Sequence, residues 1–379
     1  MHTPIRIRHM TREDLPFADS VRAEAGWNQT LADWNRFLLH QREGCFIAEA
    51  STQTVAQHSN AEIRSPTTSS SEVHPLGSPT DRSEMRAVGT ATTWVHGQHL
   101  AWIGMVLVLS EARGQGTGTA LLQHCIQFLQ GRGVRGIRLD ATPLGRPVYE
   151  RLGFRAEWEL HRWEHPNWPG LSATHEPPRW LRRLAAETTL LETEQTEPGR
   201  LCHLPAPSRF MGPIRFQDLE NAPTHGSNPV DNNRIRPWRT IDTHPESPVL
   251  ALERLALGTP RTQLLEALAT TSLQSIVLTD ATDSVAAFGM IRSGSRATYL
   301  GPAVAQDPAS AECVLEALLL QPTGTPLFWD IPEPNWPARA WAEAHGFRRQ
   351  RVLTRMYLGN PEPAGDPRLQ LALSGPETG

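Results

Sequence analysis

"AWIGMVLVLSEARGQGTGTALL", residues 101–122, joins an apolar run to a glycine-spaced turn and then to an apolar-striped segment. The run reads as a buried strand, because short apolar stretches bounded by turn residues have that form. From Gly116 onward the spacing of Ala120, Leu121, Cys125, Phe128 and Leu129 reads as a helix ending near Gly131 and Gly133. Gly114, Gly116 and Gly118 therefore sit between a strand and a helix start. Lacking side chains, they let a ligand approach the backbone, and the free N–H groups and dipole of the helix start attract phosphate. Arg113 adds a cation at the rim.

Two familiar phosphate loops can be compared with this turn. A Walker A loop needs Gly-Lys-Ser/Thr, and no Gly-Lys pair occurs in the sequence. A Rossmann loop has G-x-G-x-x-G after the first strand of its domain, whereas this turn has G-x-G-x-G and arises deep in the chain. Asp140, at the end of the next strand, keeps a ribose-binding role open by spacing, but element order argues against it.

Outward from the turn, strands and helices alternate. "IRIRHM" (5–10) is a short strand, "TRED" (11–14) a capping-box-like helix start, and "LADWNRFLLH" (31–40) a second helix. "GCFIAEA" (44–50), "AVGTATTWV" (87–95) and "LAWIGMVLVL" (100–109) read as strands, the last two joined by a turn at His96–His99. "GIRLDAT" (136–142) is a strand, "GRPVYERLG" (145–153) a short helix and "FRAEWELHRWE" (154–164) a closing strand. Residues 51–86 are Ser/Thr/Pro-rich without apolar period and read as a flexible insertion. The prediction is an α/β fold with a mixed, mostly antiparallel sheet.

A chain of 379 residues exceeds what one core usually supports. We divide it into a first domain at 1–165, a Pro-rich connector at 166–232 with one helix at 178–194, a second domain at 233–360 and a tail at 361–379. The second domain repeats the element order of the first, and "WAEAHGFR" (341–348) echoes "YERLGFR" (149–155), so an internal duplication is expected. The net charge of −4 gives no electrostatic reason to expect nucleic acid or an anionic membrane as partner. Four scattered cysteines without a CxxC pair point to neither a disulfide framework nor a zinc site. With no stretch long and apolar enough to span a bilayer, a cytoplasmic location is the expectation.

Val108, Arg113, Gly116 and Gly118 fill the pattern Val-x-x-x-x-Arg/Gln-x-x-Gly-x-Gly, and "VYERLGF" (148–154) matches a downstream "LY-x-x-LGF". In these two motifs the sequence resembles the GNAT superfamily of N-acetyltransferases over about residues 1–165. The wider pattern, "GWNQT" and "YLGPAVA" through "HGFRRQRVLTRM" included, resembles bacterial tandem GNAT proteins. The resemblance implies acetyl-CoA as cosubstrate and no metal. It implies that Val106, Leu107 and Val108 pair with the pantetheine arm. Arg113, Gly114, Gln115, Gly116, Thr117, Gly118 and Thr119 would hold the pyrophosphate. Tyr149 would protonate the departing thiolate.

Departures from the family pattern leave the proton acceptor open. Thr142 stands where Asn is frequent and, still able to hydrogen-bond, is counted with the cofactor contacts; Ser110 stands where proline is usual. The strand "AWIGMVLVL" has no acidic residue, so Glu24, Asp140, His96, His99 or a water are the candidates. Each has a plainer reading. Asp140 suits a turn cap, Glu24 a solvated helix face, and the two histidines an exposed hairpin tip. Trp27 and Asn28 suit the acceptor cleft, or Trp27 a staple between helix and sheet. In the second domain "VAQDPASAEC" (304–313) has no glycine, and Ala342 stands where Tyr149 stands in the first. One working and one degenerate domain is the expectation. The expected reaction is acetyl transfer to a primary amine, on a small molecule or a peptide. The alternative is a non-catalytic acyl-CoA sensor. Acceptor identity and oligomeric state are not legible.

Overall fold

Two threonine–aspartate pairs start the first helices. The N–H groups of Thr11 and Thr30 donate to the carboxylates three residues on, Asp14 at 2.8 Å and Asp33 at 2.7 Å. Each closes a capping box, as read at "TRED". The computed structural model of the protein describes residues 5–51, 85–171, 234–280, 282–360 and 364–379. Nearly all of the insertion at 51–86 and the connector helix at 178–194 lie outside the described residues. Among the described residues no helix is long and apolar enough to cross a membrane.

The chain folds as two compact units. The first holds β1 (Arg6–His9), α1 (Leu15–Glu24), α2 (Leu31–His40), β2 (Cys45–Ser51), β3 (Met85–His96) and β4 (Leu100–Val108). It continues with α3 (Thr117–Gly131), β5 (Gly136–Ala141), α4 (Arg146–Arg151) and the start of β6 (Arg155–His165). Strands β1 to β4 pair antiparallel in sequence order, and β4 pairs parallel with β5. Alternation along β3 and β4 sends Ala91, Ala101 and Ile103 into a cluster with Leu121, Leu122, Cys125 and Leu129 of α3. On the other face Phe37 of α2 meets Trp94 edge-on at 5.4 Å.

The second unit holds β7 (Arg234–Pro237), α5 (Pro248–Leu257), α6 (Thr262–Ala269), β8 (Gln274–Thr279), β9 (Val285–Arg292) and β10 (Thr298–Ala305). After these come α7 (Pro308–Leu319), β11 (Leu327–Pro332), α8 (Trp336–Ala344), β12 (Arg348–Gly359) and β13 (Gln370–Ala372). Its element order through α8 matches that of the first unit from β1 to α4. A local bond recurs as well. Arg8 grips both oxygens of Asp14 at 2.7 Å, and Arg236 grips those of Asp242 at 2.8 and 2.6 Å. The duplication inferred from element order thus extends to side chains.

The units do not end where composition changes. Leu160–His165 of β6 pairs with β11 in the second unit, while Thr354–Gly359 of β12 pairs with β5 in the first. Residues 375–379 also belong to the first unit. The expected limits at 165 and 360 and a separate tail differ from this division, while the limit at 233 falls at the edge of residues outside the described ones. A strand belongs to the sheet that satisfies its N–H and C=O groups, and sequence alone does not say which sheet that is.

Candidate active site

β4 and β5 run together only briefly. Their pairing covers Leu100–Trp102 against Gly136–Arg138, after which β4 continues to Val108 and β5 to Ala141 with no register between them. A bulge in β4 turns the strand: Met105 has φ of 51°, the register with β3 shifts between Thr90 and Thr92, and Thr90 Oγ1 donates to the Met105 carbonyl at 2.7 Å. Val106, Leu107 and Val108 follow the bulge on the edge that β5 has left.

The glycine turn opens beside that edge. Gly114 and Gly116 have φ of 73° and 87°, a region that disfavours side chains, and a Cβ on either would meet nothing within 4 Å. From Gly114 to Thr119 no backbone N–H donates a hydrogen bond to a described residue. Such a run at a helix start suits an anion.

The side chains of the loop hold its shape. Gln115 Nε2 donates to the Glu111 carbonyl at 3.0 Å, and the buried Thr117 hydroxyl to the Ala112 carbonyl at 3.4 Å. Arg113 Nε donates to the Val108 carbonyl at 3.0 Å while half its side chain stays exposed. Glu24 Oε1 accepts the Ser110 N–H at 3.0 Å and lies 3.7 Å from Arg113. This carboxylate is a strut between α1 and the loop.

Tyr149 stands on α4, the short helix after β5. Thr142 Oγ1 accepts the Gly145 N–H at 3.1 Å and closes the turn that starts the helix. A Cβ on Gly145 would lie 3.0 Å from the Tyr149 ring, so the turn and the aromatic are fitted to each other. The ring is edge-on to Phe154 at 6.1 Å, and its hydroxyl makes no hydrogen bond to a described residue. Burial pushes the hydroxyl up to about 12, so it is protonated at neutral pH.

Asp140, the other candidate acid or base, is not open to chemistry. Arg355 of β12 donates Nε and Nη2 to its two oxygens at 2.9 and 3.0 Å, and the carboxylate is fully buried. Arg355 in turn lies 4.3 Å from the ring centres of both Trp102 and Trp158. The side chain ties β5 to β12.

Trp27 and Asn28 lie in the α1–α2 loop, where Arg22 of α1 donates to the Trp27 carbonyl at 3.2 Å and Asn28 is buried. The neighbouring Gln29 donates Nε2 to Glu377 Oε2 at 2.6 Å. Residues 375–379 cover the face of β4 that α3 does not. Trp102 Nε1 donates to the Pro376 carbonyl at 3.0 Å, His96 Nε2 lies 3.2 Å from the Thr378 carbonyl, and a Cβ on Gly104 would overlap the Glu377 backbone. His96 is buried, not the exposed hairpin-tip residue the sequence suggested, because this segment lies on it. Gln29 Oε1 and Thr92 Oγ1 are buried here without a hydrogen-bond partner. Sequence reasoning gave Gln29, Gly104 and Glu377 no role of their own: the first two lie in the quoted stretches "GWNQT" and "AWIGMVLVL", but their contacts with residues 375–379 are far apart in sequence.

The second unit has the same splay and fills it. β10 pairs parallel with β11 over Thr298–Leu300, and β13 then pairs with β10 at Ala303 and Val304. Trp329 of β11 donates Nε1 to the Leu371 carbonyl at 2.8 Å, so β13 bonds to both sides of the gap. At the start of α7, Asp307 Oδ1 accepts the Ala309 and Ser310 N–H groups at 2.9 and 3.0 Å. A carboxylate thus takes the donors that the first unit leaves open, and it would repel a phosphate. Ala342 on α8 is buried and offers no acid.

A parallel strand pair that parts at a bulge, with a glycine turn leading into the next helix, sets an open strand edge beside an anion-accepting helix start. Similarity to known proteins gives the family of the chain. A model described as "Acetyltransferase (GNAT) family" matches residues 9–154, and one described as "Acetyltransferase (GNAT) domain" matches residues 249–370. The chain belongs to the GNAT acetyltransferases, with two GNAT domains in tandem. A solved protein of Pyrococcus horikoshii aligns over 99% of this chain and 96% of its own, at 17% identity and a TM-score of 0.61. A GCN5-related N-acetyltransferase of Sphaerobacter thermophilus aligns over 96% and 97%, at 11% identity and a TM-score of 0.49. A tandem GNAT protein from the clavulanic acid biosynthesis pathway aligns over 95% and 100%, at 14% identity and a TM-score of 0.48. No curated protein matches the chain by sequence.

Proposed function

We propose that the first unit transfers the acetyl group of acetyl-CoA to a primary amine by direct attack. The run of open N–H groups from Gly114 to Thr119, beside the free edge of β4, carries this reading. Val106, Leu107 and Val108 receive the pantetheine arm as an added strand. The loop N–H groups hold the pyrophosphate with Arg113 at the rim, while Gln115, Thr117 and Glu24 keep the loop in shape.

The amine nitrogen bonds to the thioester carbonyl carbon, the C–S bond breaks, and one proton leaves the nitrogen. A backbone N–H near Val108 stabilises the charge on the carbonyl oxygen. Tyr149, with its hydroxyl near 12, donates a hydrogen bond to the departing sulfur. A thiol of pKa about 8.5 is already a fair leaving group, so the help it needs from the tyrosine does not extend to complete proton transfer. The hydrogen bond, more than the proton, is what Tyr149 supplies. Asp140 and Glu24 are engaged elsewhere, and we assign them positioning parts and the amine's proton to water. Trp27 and Asn28 border the acceptor side.

One observation favours a second reading, an acyl-CoA-binding sensor: residues 375–379 cover the β4 face beside Gln29. A thiol-release assay with acetyl-CoA and a panel of amino sugars, polyamines and peptide N-termini separates the two. Thiol release with at least one amine is expected. Tight acetyl-CoA binding with no release across the panel would select the sensor. The sequence contains no lysine, so no ε-amine of the chain competes as acceptor.

A further inference from the structure

The second unit opens a cavity at a place that the first unit closes. After β1 the Met10 N–H donates to the Cys45 carbonyl at 2.8 Å, and after β7 the Trp238 N–H donates to the Ser275 carbonyl at 2.9 Å. Trp238 and Ser275 therefore hold in the second unit the places of Met10 and Cys45 in the first. Met10 and Cys45 are buried, and a 3₁₀ turn at Arg42–Gly44 fills the join between α2 and β2. The join between α6 and β8 forms no such turn, and Trp238 and Ser275 are part-exposed. Here the described residues border an open cavity of about 370 Å³. Ligand pockets span about 300–1,000 Å³, so this one suits a small molecule.

The walls are braced. Asp242 accepts both arms of Arg236 and, at 2.7 Å, the Arg239 N–H, while Thr243 Oγ1 donates to the Thr240 carbonyl at 2.9 Å. These bonds fix the loop that carries Trp238, whose ring stands edge-on to Phe288 of β9 at 5.7 Å. Glu266 of α6 and Gln274 of β8 also line the cavity, and neither side chain bonds to a described residue. The lining carries one carboxylate, Glu266, and one guanidinium, Arg239, so their charges offset and select neither a cation nor an anion. A carboxylate accepts hydrogen bonds, an amide both donates and accepts, and an indole face covers apolar surface. A ring with hydroxyls at its edge and C–H groups on its face satisfies all three.

We propose that this cavity binds a neutral sugar ring, its C–H face against Trp238 and its hydroxyls on Glu266 and Gln274. It gives the degenerate domain a ligand of its own, after its acyl-CoA splay has been filled by β13. The cavity shares no residue with the glycine turn or with Tyr149, so the result of its test stands apart from the acyl-transfer reading.

The test titrates the full chain with methyl glucoside, methyl galactoside, methyl mannoside and N-acetylglucosamine, followed by calorimetry and saturation-transfer NMR. Saturable binding of at least one is expected, with the strongest transfer to the ring C–H protons. Tighter binding of the matching disaccharide assigns an oligosaccharide, and equal affinity a single ring. Trp238→Met, which installs the side chain of the first unit, is expected to weaken binding about tenfold through loss of the aromatic wall. Glu266→Gln should weaken it about three- to tenfold, as a hydrogen bond loses its charge. Glu266 is exposed, so this variant keeps its fold even if Trp238→Met does not. Spermidine and citrate, at matched ionic strength, are expected to give no saturable response. Three results would overturn the proposal: no saturable binding of any sugar, affinity unchanged in Glu266→Gln or in a folded Trp238→Met, or binding of spermidine or citrate that Glu266→Gln alters.

Discussion

Arg355 holds Asp140 by both carboxylate oxygens, at 2.9 and 3.0 Å, although 215 residues separate them. The pair ties into the first unit a strand segment that lies between two stretches of the second in sequence. Breaking one side of a buried pair costs about 3–5 kcal/mol, because the remaining charge loses its partner. Asp140→Ala is therefore expected to lower stability by that amount, measured by denaturant unfolding. Arg355→Ala should cost at least as much, since two indole contacts go with it. Below their melting temperatures both variants are expected to retain turnover with acetyl-CoA, which a catalytic Asp140 would not allow.

Much of this was legible in advance where the signal is local. The strand–glycine–helix unit at 101–131, Tyr149 on its short helix and the repeat of element order all follow from periodicity and turn chemistry read within a few residues. The exchange of β6 and β12 is not local. Nothing in "RRQRVLTRMYLG" states that its second half will pair with "GIRLDA". For the same reason residues 361–379 read as a tail, although β13 fills the second splay and Glu377 reaches Gln29. Asp140 and Glu24 were readable as carboxylates, but their partners, Arg355 and the Ser110 N–H, come from distant parts of the chain.

Tyr149→Phe removes the hydroxyl and keeps the ring packed against Phe154. If the hydroxyl serves only the departing sulfur, acetyl-CoA affinity should hold while kcat falls by about 10²-fold, the scale of one such donor. Stopped-flow thiol release and equilibrium binding measure the two separately. The pH dependence has a definite sign. With its hydroxyl raised from 10 to about 12, Tyr149 stays protonated through the neutral range. Any loss of rate from its ionisation is expected above pH 10. A descending limb near pH 8 or 9 in the parent that disappears in the variant would contradict this.

Gly116 and Asp307 hold corresponding places at the starts of α3 and α7, one leaving the helix donors open and the other capping them. Gly116→Asp would bring the second unit's solution into the first. The positive φ costs about 1 kcal/mol for a residue with a Cβ, and the new cap returns a similar amount, so stability should change little. Acetyl-CoA affinity is expected to fall by about 10- to 100-fold, as the carboxylate competes for the N–H groups and repels the pyrophosphate. Calorimetric titration with acetyl-CoA measures it. Undiminished affinity would move the pyrophosphate away from this turn.

Gly104 is the last residue of β4 before the bulge at Met105, and the backbone of Glu377 lies against its Cα. A methyl group there has no room unless residues 375–379 move. Backbone yields less readily than a side chain, so Gly104→Ala should cost about 1–3 kcal/mol, as overpacking does in closed sites. The segment is held by Trp102 at Pro376, Gln29 at Glu377 and His96 at Thr378. Lifting it loosens all three together, and hydrogen exchange should rise across 375–379 while α3 keeps its protection. Because the segment covers the face opposite α3, its displacement should change the KM for the amine and leave acetyl-CoA affinity unaltered. A variant that shifts acetyl-CoA affinity instead would place the segment against the cosubstrate, and the acceptor would then have to enter elsewhere.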